Sequence, residues 1–276
     1  MDLTQALEVV TRTDPGMVRS HNEDSVFANP ALGVVVLADG MGGYNAGEVA
    51  SGMTTTLLAS ELARAFAEKP PYAKDAAGSW AAAALQTEVL KTNGAIYHAA
   101  QSQPQYAGMG TTLVSAVFHD NRMTVAHIGD SRMYRLRGES FSQVTKDHSL
   151  LQEQIESGLI TPEQARASQN KNLVTRALGI DPIVEPEIHE YDVEAGDIYL
   201  LCSDGLNDMV PDDEIGMTLQ MLAANLELCA MQLVQMANDN GGRDNVSVIL
   251  VKVKQPFLAP RGGWSWFSRL LAWFKQ

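Results

Sequence analysis

The chain has 276 residues, of which 45% are hydrophobic and 19% charged, a composition typical of a soluble globular protein with a sizeable core. The formal net charge of −13 excludes general affinity for the nucleic acid backbone, because such binding needs an excess of basic groups. Two cysteines, Cys202 and Cys229, are too few for a disulfide framework and fit a reducing cytoplasm.

The first ten residues lack a basic region followed by a long apolar stretch, so no signal peptide is expected. No apolar run reaches the roughly 18 residues that a membrane-spanning helix needs. Short runs rich in valine and isoleucine predict seven strands, at residues 7–11, 33–38, 111–118, 122–128, 132–137, 197–202 and 246–253. The three polar residues between 118 and 122 predict an antiparallel hairpin.

Helical spacing predicts three helices between these strands. The first is capped by Asn45 with Glu48 at the third helical position, the second begins after Ser79 and runs towards Tyr97, and the third covers about 225–238. Residues 146–190 are polar and are interpreted as a surface excursion. The order of elements favours a layered α+β architecture over regular βαβ winding.

Four aspartates stand beside predicted strands. Asp39, Asp130 and Asp204 each follow an apolar run, and Asp244 comes just before the last one. Carboxylates next to core strands must face solvent, cap a helix or turn, or gather around cations, because an unpaired buried charge is costly. Oxygen ligands of this kind suit Mg²⁺ or Mn²⁺.

Two further residues fit such a site. Gly40 has no side chain, so its backbone carbonyl is open to close approach. Arg19 presents a fork that matches phosphate, and it could instead form a surface ion pair with Glu23.

Five segments, taken in order, resemble the successive motifs of the metal-dependent PP2C-type (PPM) serine/threonine phosphatases of bacteria. They are "TDPGMVRSHNED", "VLADGMGG", "AHIGDSRMYR", "LCSDGLND" and "GGRDNVSVILV". The similarity spans about residues 8–254, and agreement of five motifs in order is specific. The resemblance implies a four-layer αββα sandwich, in which two mostly antiparallel sheets are flanked by helices, with metals at one end.

The resemblance also implies roles for individual residues. Asp39 would bridge two Mn²⁺ or Mg²⁺ ions, the Gly40 carbonyl would bind one of them, and Asp204 and Asp244 would complete the first ion's ligands. Glu23 and Asp24 would hold metal-bound waters, Arg19 would bind the substrate phosphate, and Asp130 with Asp204 would hold a third, weaker metal.

The implied activity is hydrolysis of phosphoserine and phosphothreonine on proteins by direct attack of metal-activated water. Phosphorylated proteins, among them a bacterial Ser/Thr kinase or its substrates, would be the partners. Many eukaryotic relatives carry a histidine, proposed as the general acid, where this chain has Met41. Leaving-group protonation is therefore expected from metal-bound water.

Residues 149–180 match the family's flap, in which Thr161 and Pro162 predict a helix start. His148, just before it, is interpreted as structural. Domain organisation is then a phosphatase domain at 1–254, a linker at 255–263 and a tail at 264–276.

The segment 261–276 contains three of the four tryptophans, three positive charges and no acids. A helix from Trp264 would be amphipathic and too short to cross a bilayer, so it could lie in the inner face of the membrane, bind a partner protein or dock on its own domain. The localisation expected is cytoplasmic, with this tail as the candidate for peripheral membrane attachment.

Other functions fit less well. A catalytically silent PP2C-like binding module would be expected to lose metal carboxylates, and a phosphatase specialised for anti-sigma-factor antagonists usually follows a sensor domain. A cysteine-dependent phosphatase needs arginine six residues after its cysteine, where this chain has Asp208 and Gln235. No Walker phosphate loop is present in the sequence.

Overall fold

A computed structural model describes residues 2–43, 45–75, 78–161, 164–165, 168 and 173–260. The elements in chain order are β1 (Leu7–Asp14), β2 (Asp24–Asn29), β3 (Val34–Met41), α1 (Ala46–Glu68), β4 (Lys74–Asp75), β5 (Gly78–Ser79), α2 (Trp80–Ser102), β6 (Gly110–Thr111), β7 (Leu113–His119), β8 (Arg122–Ile128), β9 (Arg132–Arg137), β10 (Ser140–Gln143), α3 (Leu150–Glu156), β11 (Glu187–Asp192), β12 (Ile198–Cys202), α4 (Asp204–Asn207), α5 (Asp212–Leu222), α6 (Leu226–Asp239) and β13 (Val246–Val253).

Two antiparallel sheets form the centre of the molecule. The first has the strand order β1-β13-β12-β9-β10, and the second has the order β11-β8-β7-β3-β2, with β6 pairing at the end of β3. The central strands read as continuous apolar runs because both of their faces are covered; every residue of β7 and of β12 is buried.

Alternating side chains of each strand divide the core into three layers. Leu37 of β3 and Ile249 of β13 belong to the layer between the sheets. Val36 faces the other way and packs with residues of α1 and α2, while Leu250 packs with residues of α5 and α6. The architecture is therefore helix, sheet, sheet, helix, and the expected αββα sandwich is confirmed.

The predicted hairpin between β7 and β8 is confirmed, with His119 paired to Arg122. Its two connecting residues, Asp120 and Asn121, have φ of 46° and 54°. Both residue types tolerate this left-handed conformation, which matches the twist of the flanking strands.

The three predicted helices are present, but only two use the expected caps. Ser79 accepts a hydrogen bond from Ala82 N–H at the start of α2, and Asn225 does the same for Leu228 at the start of α6. Asn45 precedes α1, yet its side chain makes no capping hydrogen bond, so the predicted capping box is not formed.

The sequence patterns missed β2, β4, β5, β10, β11, α3, α4 and α5. Three of these, β2, β10 and β11, are edge strands of the two sheets and are only partly buried, so their alternation of buried and exposed residues is weak. The interpretation of 146–190 as a surface excursion is wrong in part, because it ends within β11, which pairs with β8 along its whole length.

At the described C-terminal end, the chain runs back onto the β7–β8 hairpin. Phe257 is buried against Phe118, and its N–H donates to Asn121 Oδ1 at 2.6 Å. Ala259 N–H donates to Asp120 Oδ1 at 2.8 Å. The predicted tail, 264–276, lies outside the described residues, and among the helices that are described none has the length and apolarity to cross a membrane.

Candidate metal centre

Carboxylates from both sheets meet at one edge of the sandwich. Asp39 on β3 is paired directly with Asp24 on the neighbouring strand β2. Asp204 opens α4 just after β12, and Asp244 stands just before β13, so both come from the facing sheet. Asp130, after β8, also lies near enough to Asp39 to influence its ionisation.

Burial and neighbouring acids shift the pKa values of several of these groups. Burial, followed by the charges of the neighbouring aspartates, raises the pKa of Asp39 and of Asp204 well above the ordinary value. Burial likewise raises the pKa of Asp24 and of Asp130 to about 6. The pKa of Glu23 is raised too, chiefly by burial. A folded chain that keeps all these groups ionised needs positive charge at this edge.

The donor atoms present fit hard divalent cations. Glu23 Oε1 and Asp24 Oδ1 are buried, and within the described part of the chain neither has a hydrogen-bond partner. Buried carboxylate oxygens in folded proteins nearly always have a partner, and a bound cation is one such partner. Oxygen-only ligands favour Mg²⁺ or Mn²⁺ over softer metals.

Gly40 occupies a position where a side chain cannot fit. A Cβ there would overlap the carbonyl oxygen of Gly47 near the start of α1 and would lie 2.6 Å from the Glu23 carbonyl oxygen. The Gly40 N–H donates to that Glu23 oxygen at 3.1 Å. The glycine therefore lets the first turn of α1 and the Glu23 backbone close around the end of β3.

Arg19 lies at the rim of the acid cluster, about half exposed, and its partner differs from the one considered in the sequence. Its Nη2 donates to Asp244 Oδ2 at 2.7 Å, so Asp244, not Glu23, forms the ion pair. This hydrogen bond is the main cause that raises the pKa of Arg19. The guanidinium is placed beside the acids with room to meet an anion.

Neutral polar residues position the acids, and sequence analysis missed them. Asp39 N–H donates to Thr112 Oγ1 at 3.0 Å, and the Asp39 carbonyl oxygen accepts from Thr111 Oγ1 at 2.7 Å. Ser203 Oγ donates to Asp24 Oδ2 at 2.8 Å. Ser203 directly precedes Asp204 in the sequence. A polar residue next to a strand-end acid was therefore the sequence signal that could have identified it as a positioning residue.

Asn245 holds the loop that carries Glu23. Its Oδ1 accepts from Glu23 N–H at 2.8 Å, and its Nδ2 donates to the carbonyl oxygens of Pro15 and His21 at 3.0 and 2.8 Å. Asn245 is buried and follows Asp244 directly. One amide side chain thus fixes the loop against the start of β13. Asn245 and Glu23 are 222 residues apart in the sequence, so no local sequence pattern reveals this contact.

Comparison with known proteins identifies relatives with named activities. The family model described as Protein phosphatase 2C matches residues 18–239. The serine/threonine protein phosphatase PstP of Mycobacterium tuberculosis is 40% identical over 264 residues, covering 93% of this chain and 48% of PstP. The protein phosphatase PhpP of Streptococcus pneumoniae is 37% identical over 254 residues, covering 90% of this chain and 98% of PhpP.

A solved structure of the PstP catalytic domain, in complex with two manganese ions, matches with a TM-score of 0.78 and 40% identity. The match covers 91% of this chain and 99% of that domain. The chain spans about half the length of the mycobacterial relative that it matches.

Replacing Asn245 with Ala should destabilise the protein by about 1–3 kcal/mol, because three backbone groups in part-buried hydrogen bonds would lose their partner. Asn245→Asp keeps the oxygen that accepts from Glu23 but loses both donors, so it should also destabilise the fold. Asn240→Ala is the control, since Asn240 makes one exposed hydrogen bond, to the Met209 carbonyl. Urea unfolding measures all three, and equal effects of Asn245→Ala and Asn240→Ala would contradict the assigned role.

The metal-free protein should lose stability as the pH rises from about 4 to about 7. The folded state holds a proton on Asp24 up to about pH 6, whereas the unfolded chain releases it near 3.8, so the folded state binds more protons in this window. Asp24→Asn should therefore be more stable than the wild type near neutral pH, with a difference that shrinks towards pH 4.

Urea unfolding in EDTA across that pH range measures the difference. Asp192→Asn, at a carboxylate that is 86% exposed, is the matched control and should change stability by less than about 0.5 kcal/mol. An Asp24→Asn protein that is less stable than the wild type at neutral pH would contradict the expectation.

Proposed function

The chain belongs to the protein phosphatase 2C family, and on that basis we propose that it is a metal-dependent protein phosphatase that hydrolyses phosphoserine and phosphothreonine. The observation that carries the proposal is the convergence of acids from both sheets, two of which have buried oxygens with no partner among the described residues. Such a cluster is costly to build unless it binds cations.

The proposed cofactors are two Mn²⁺ or Mg²⁺ ions, with a third held more weakly. Asp39, Gly40, Asp204 and Asp244 are the proposed ligands of the principal site, with Asp39 shared between the two ions. Asp130 together with Asp204 is proposed for the third. The burial of Asp39, Asp130 and Asp204, and the effect of the neighbouring acids on their pKa values, support the assignment.

Bound divalent ions would lower the pKa of a water so that it attacks phosphorus, and would offset charge on the phosphate oxygens. The chain's own residues do the positioning. Glu23 and Asp24 offer buried acceptor oxygens that orient water at the centre. Arg19 binds the phosphate oxygens with its planar fork. When substrate binds, part of the hydrogen bonding of the guanidinium shifts from Asp244 to the phosphate.

The leaving alcohol needs a proton, and Met41 has none to give. Met41 lies at the end of β3, where its backbone pairs with Gly110. We therefore assign leaving-group protonation to water in the acid cluster, since the thioether of Met41 cannot act as a general acid. A silent binding module is not favoured, because every carboxylate of the cluster is present.

We propose that the substrates are phosphorylated proteins in the cytoplasm, among them a bacterial Ser/Thr kinase or the proteins it phosphorylates. We also propose a phosphatase domain at 1–254, a linker at 255–263 and a tail at 264–276 that attaches to the inner face of the membrane. The three positive charges and three tryptophans of 261–276 support a tail that lies in a lipid interface.

The purified protein should hydrolyse a phosphothreonine peptide when Mn²⁺ is added and should stop when EDTA is added. Asp39→Asn should lower turnover by more than about a hundredfold while the far-UV circular dichroism spectrum stays unchanged. Arg19→Ala should raise KM for the phosphopeptide by about tenfold or more, because it removes a charge-assisted hydrogen bond to phosphate.

Arg12→Ala is the matched control for Arg19→Ala. Arg12 is also a half-exposed arginine with a 2.7 Å bond to a distant acid, Glu227, but it lies on β1 away from the acid cluster. Its KM should equal that of the wild type. Activity that survives complete chelation, or equal KM changes in the two arginine variants, would contradict the proposal.

A variant that ends at Pro260 should lose membrane association in cell fractionation and in co-sedimentation with anionic vesicles. A second variant, with Trp264, Trp266 and Trp273 replaced by Ser, keeps the positive charges and tests the aromatic side chains alone; its binding should weaken as well. Membrane association that is unchanged in the shortened protein would rule out the lipid role of the tail.

A further inference from the structure

His148 connects the turn that carries Asp130 to a distant part of the chain. Its side chain is 4% exposed. The His148 N–H donates to the Gly129 carbonyl oxygen at 2.8 Å, and the Gly129 N–H donates back to His148 Nδ1 at 3.2 Å. Both backbone polar groups of Gly129, the residue just before Asp130, are thus bonded to one residue.

The hydrogen bonds determine which ring nitrogen carries the proton. Since Gly129 N–H donates to Nδ1, that nitrogen is unprotonated, and the proton of the neutral ring is on Nε2. Nε2 lies 3.1 Å from Glu187 Oε1 on β11, an acceptor that suits this N–H. Burial lowers the pKa of His148, in agreement with a neutral ring. Each nitrogen of the ring therefore has one assigned partner.

The backbone of His148 holds a third partner. Its carbonyl oxygen accepts from Thr175 N–H at 2.9 Å, and the next residues continue the contact, with Leu150 N–H donating to the Leu173 carbonyl oxygen. Ser149 and Val174 form an isolated β-bridge. His148 therefore joins the Gly129 turn to Glu187 and to residues 173–175, and it lies directly before residue 149, where the segment 149–180 begins.

His127, His148 and Glu187 lie close enough together to suggest a metal site, with ligand atoms within 4.8 Å of one another. The hydrogen bonds oppose that use. His127 Nε2 lies 2.9 Å from the Lys146 carbonyl oxygen, which can only accept, and 3.4 Å from the Lys146 N–H; the shorter contact places the proton on this nitrogen. A metal ligand needs a free lone pair, and the stacked rings, 4.9 Å apart, point both Nε2–H groups at oxygen acceptors.

The position of Asp130 depends on its two neighbours. Gly129 has φ of +100°, and a Cβ there would lie 2.7 Å from the Thr112 side chain, so this residue is confined on one side by Thr112 and on the other by His148. Ser131 Oγ lies 2.7 Å from Thr112 Oγ1. Thr112 is also the residue that bonds Asp39.

We propose that His148 is a positioning residue for cation binding at Asp130: its Nδ1 holds the Gly129 peptide, and this bond, not the one to Glu187, places the Asp130 carboxylate. The inference rests on the proposed function, because it takes Asp130 as a ligand of the weaker metal. It predicts that the two nitrogens of one ring have separable effects, which a merely structural histidine would not show.

Two amide substitutions separate the nitrogens. Asn places an oxygen near the position of Nδ1, so His148→Asn keeps the acceptor for Gly129 and loses the bond to Glu187. Gln reaches the position of Nε2, so His148→Gln keeps the donor to Glu187 and loses the acceptor for Gly129. Glu187→Ala removes the partner of Nε2 without changing the ring.

The experiment titrates metal-free full-length protein with Mn²⁺ and measures the free ion by electron paramagnetic resonance. His148→Gln should weaken the weaker class of Mn²⁺ sites by about tenfold or more and leave the tighter class unchanged. His148→Asn and Glu187→Ala should both match the wild type. Loss of the weaker class in Glu187→Ala, equal loss in both His148 variants, or no loss in His148→Gln would overturn the proposal.

A second measurement needs no substitution. Long-range ¹H–¹⁵N correlation spectra of the wild type should show His148 as the neutral Nε2–H tautomer, and a ring protonated on Nδ1 would overturn the inference. Activity of the wild type is recorded alongside. An inactive wild type that still shows the predicted Mn²⁺ pattern would reject the phosphatase proposal alone, and an active one without the pattern would reject the role of His148 alone.

Discussion

Mutual repulsion among buried carboxylates is the constraint on which this structure depends. Asp39 and Asp204 come from different sheets, and the burial of each, together with its acidic neighbours, raises its pKa well above the usual value. A fold built for stability alone would separate such groups or pair each with a base. The chain instead concentrates them at one edge and leaves two buried oxygens unpartnered among the residues described, so the edge is suited to binding cations.

The sandwich produces this concentration because both sheets present strand ends at the same edge. The layer of apolar side chains between the sheets holds the two sets of strand ends in a fixed relation, and the acids lie on or beside these strand ends. The close approach of Gly47 to Gly40 brings the first turn of α1 to that edge as well. Core packing and site geometry are therefore two results of the same arrangement of strands.

The neighbours of the acids are mainly neutral. Thr112, Ser203 and Asn245 position carboxylates or their loops through hydrogen bonds and add no positive charge, so the attraction for cations is kept. Arg19 is a charged neighbour, and it stands at the exposed rim, where a phosphate can reach it. This separation of roles lets neutral side chains supply rigidity while the acids supply charge.

Much of the protein could be predicted from local pattern: β1 and the six central strands, the three long helices, the β7–β8 hairpin and the acids beside strand ends all follow from periodicity and residue type. Only the tertiary structure decided that Arg19 pairs with Asp244, that Asn245 fixes the loop of Glu23, and that polar edge segments such as β11 join a sheet. These contacts join residues far apart in the chain, and a polar side chain fits solvent and a buried partner equally well until packing brings that partner near.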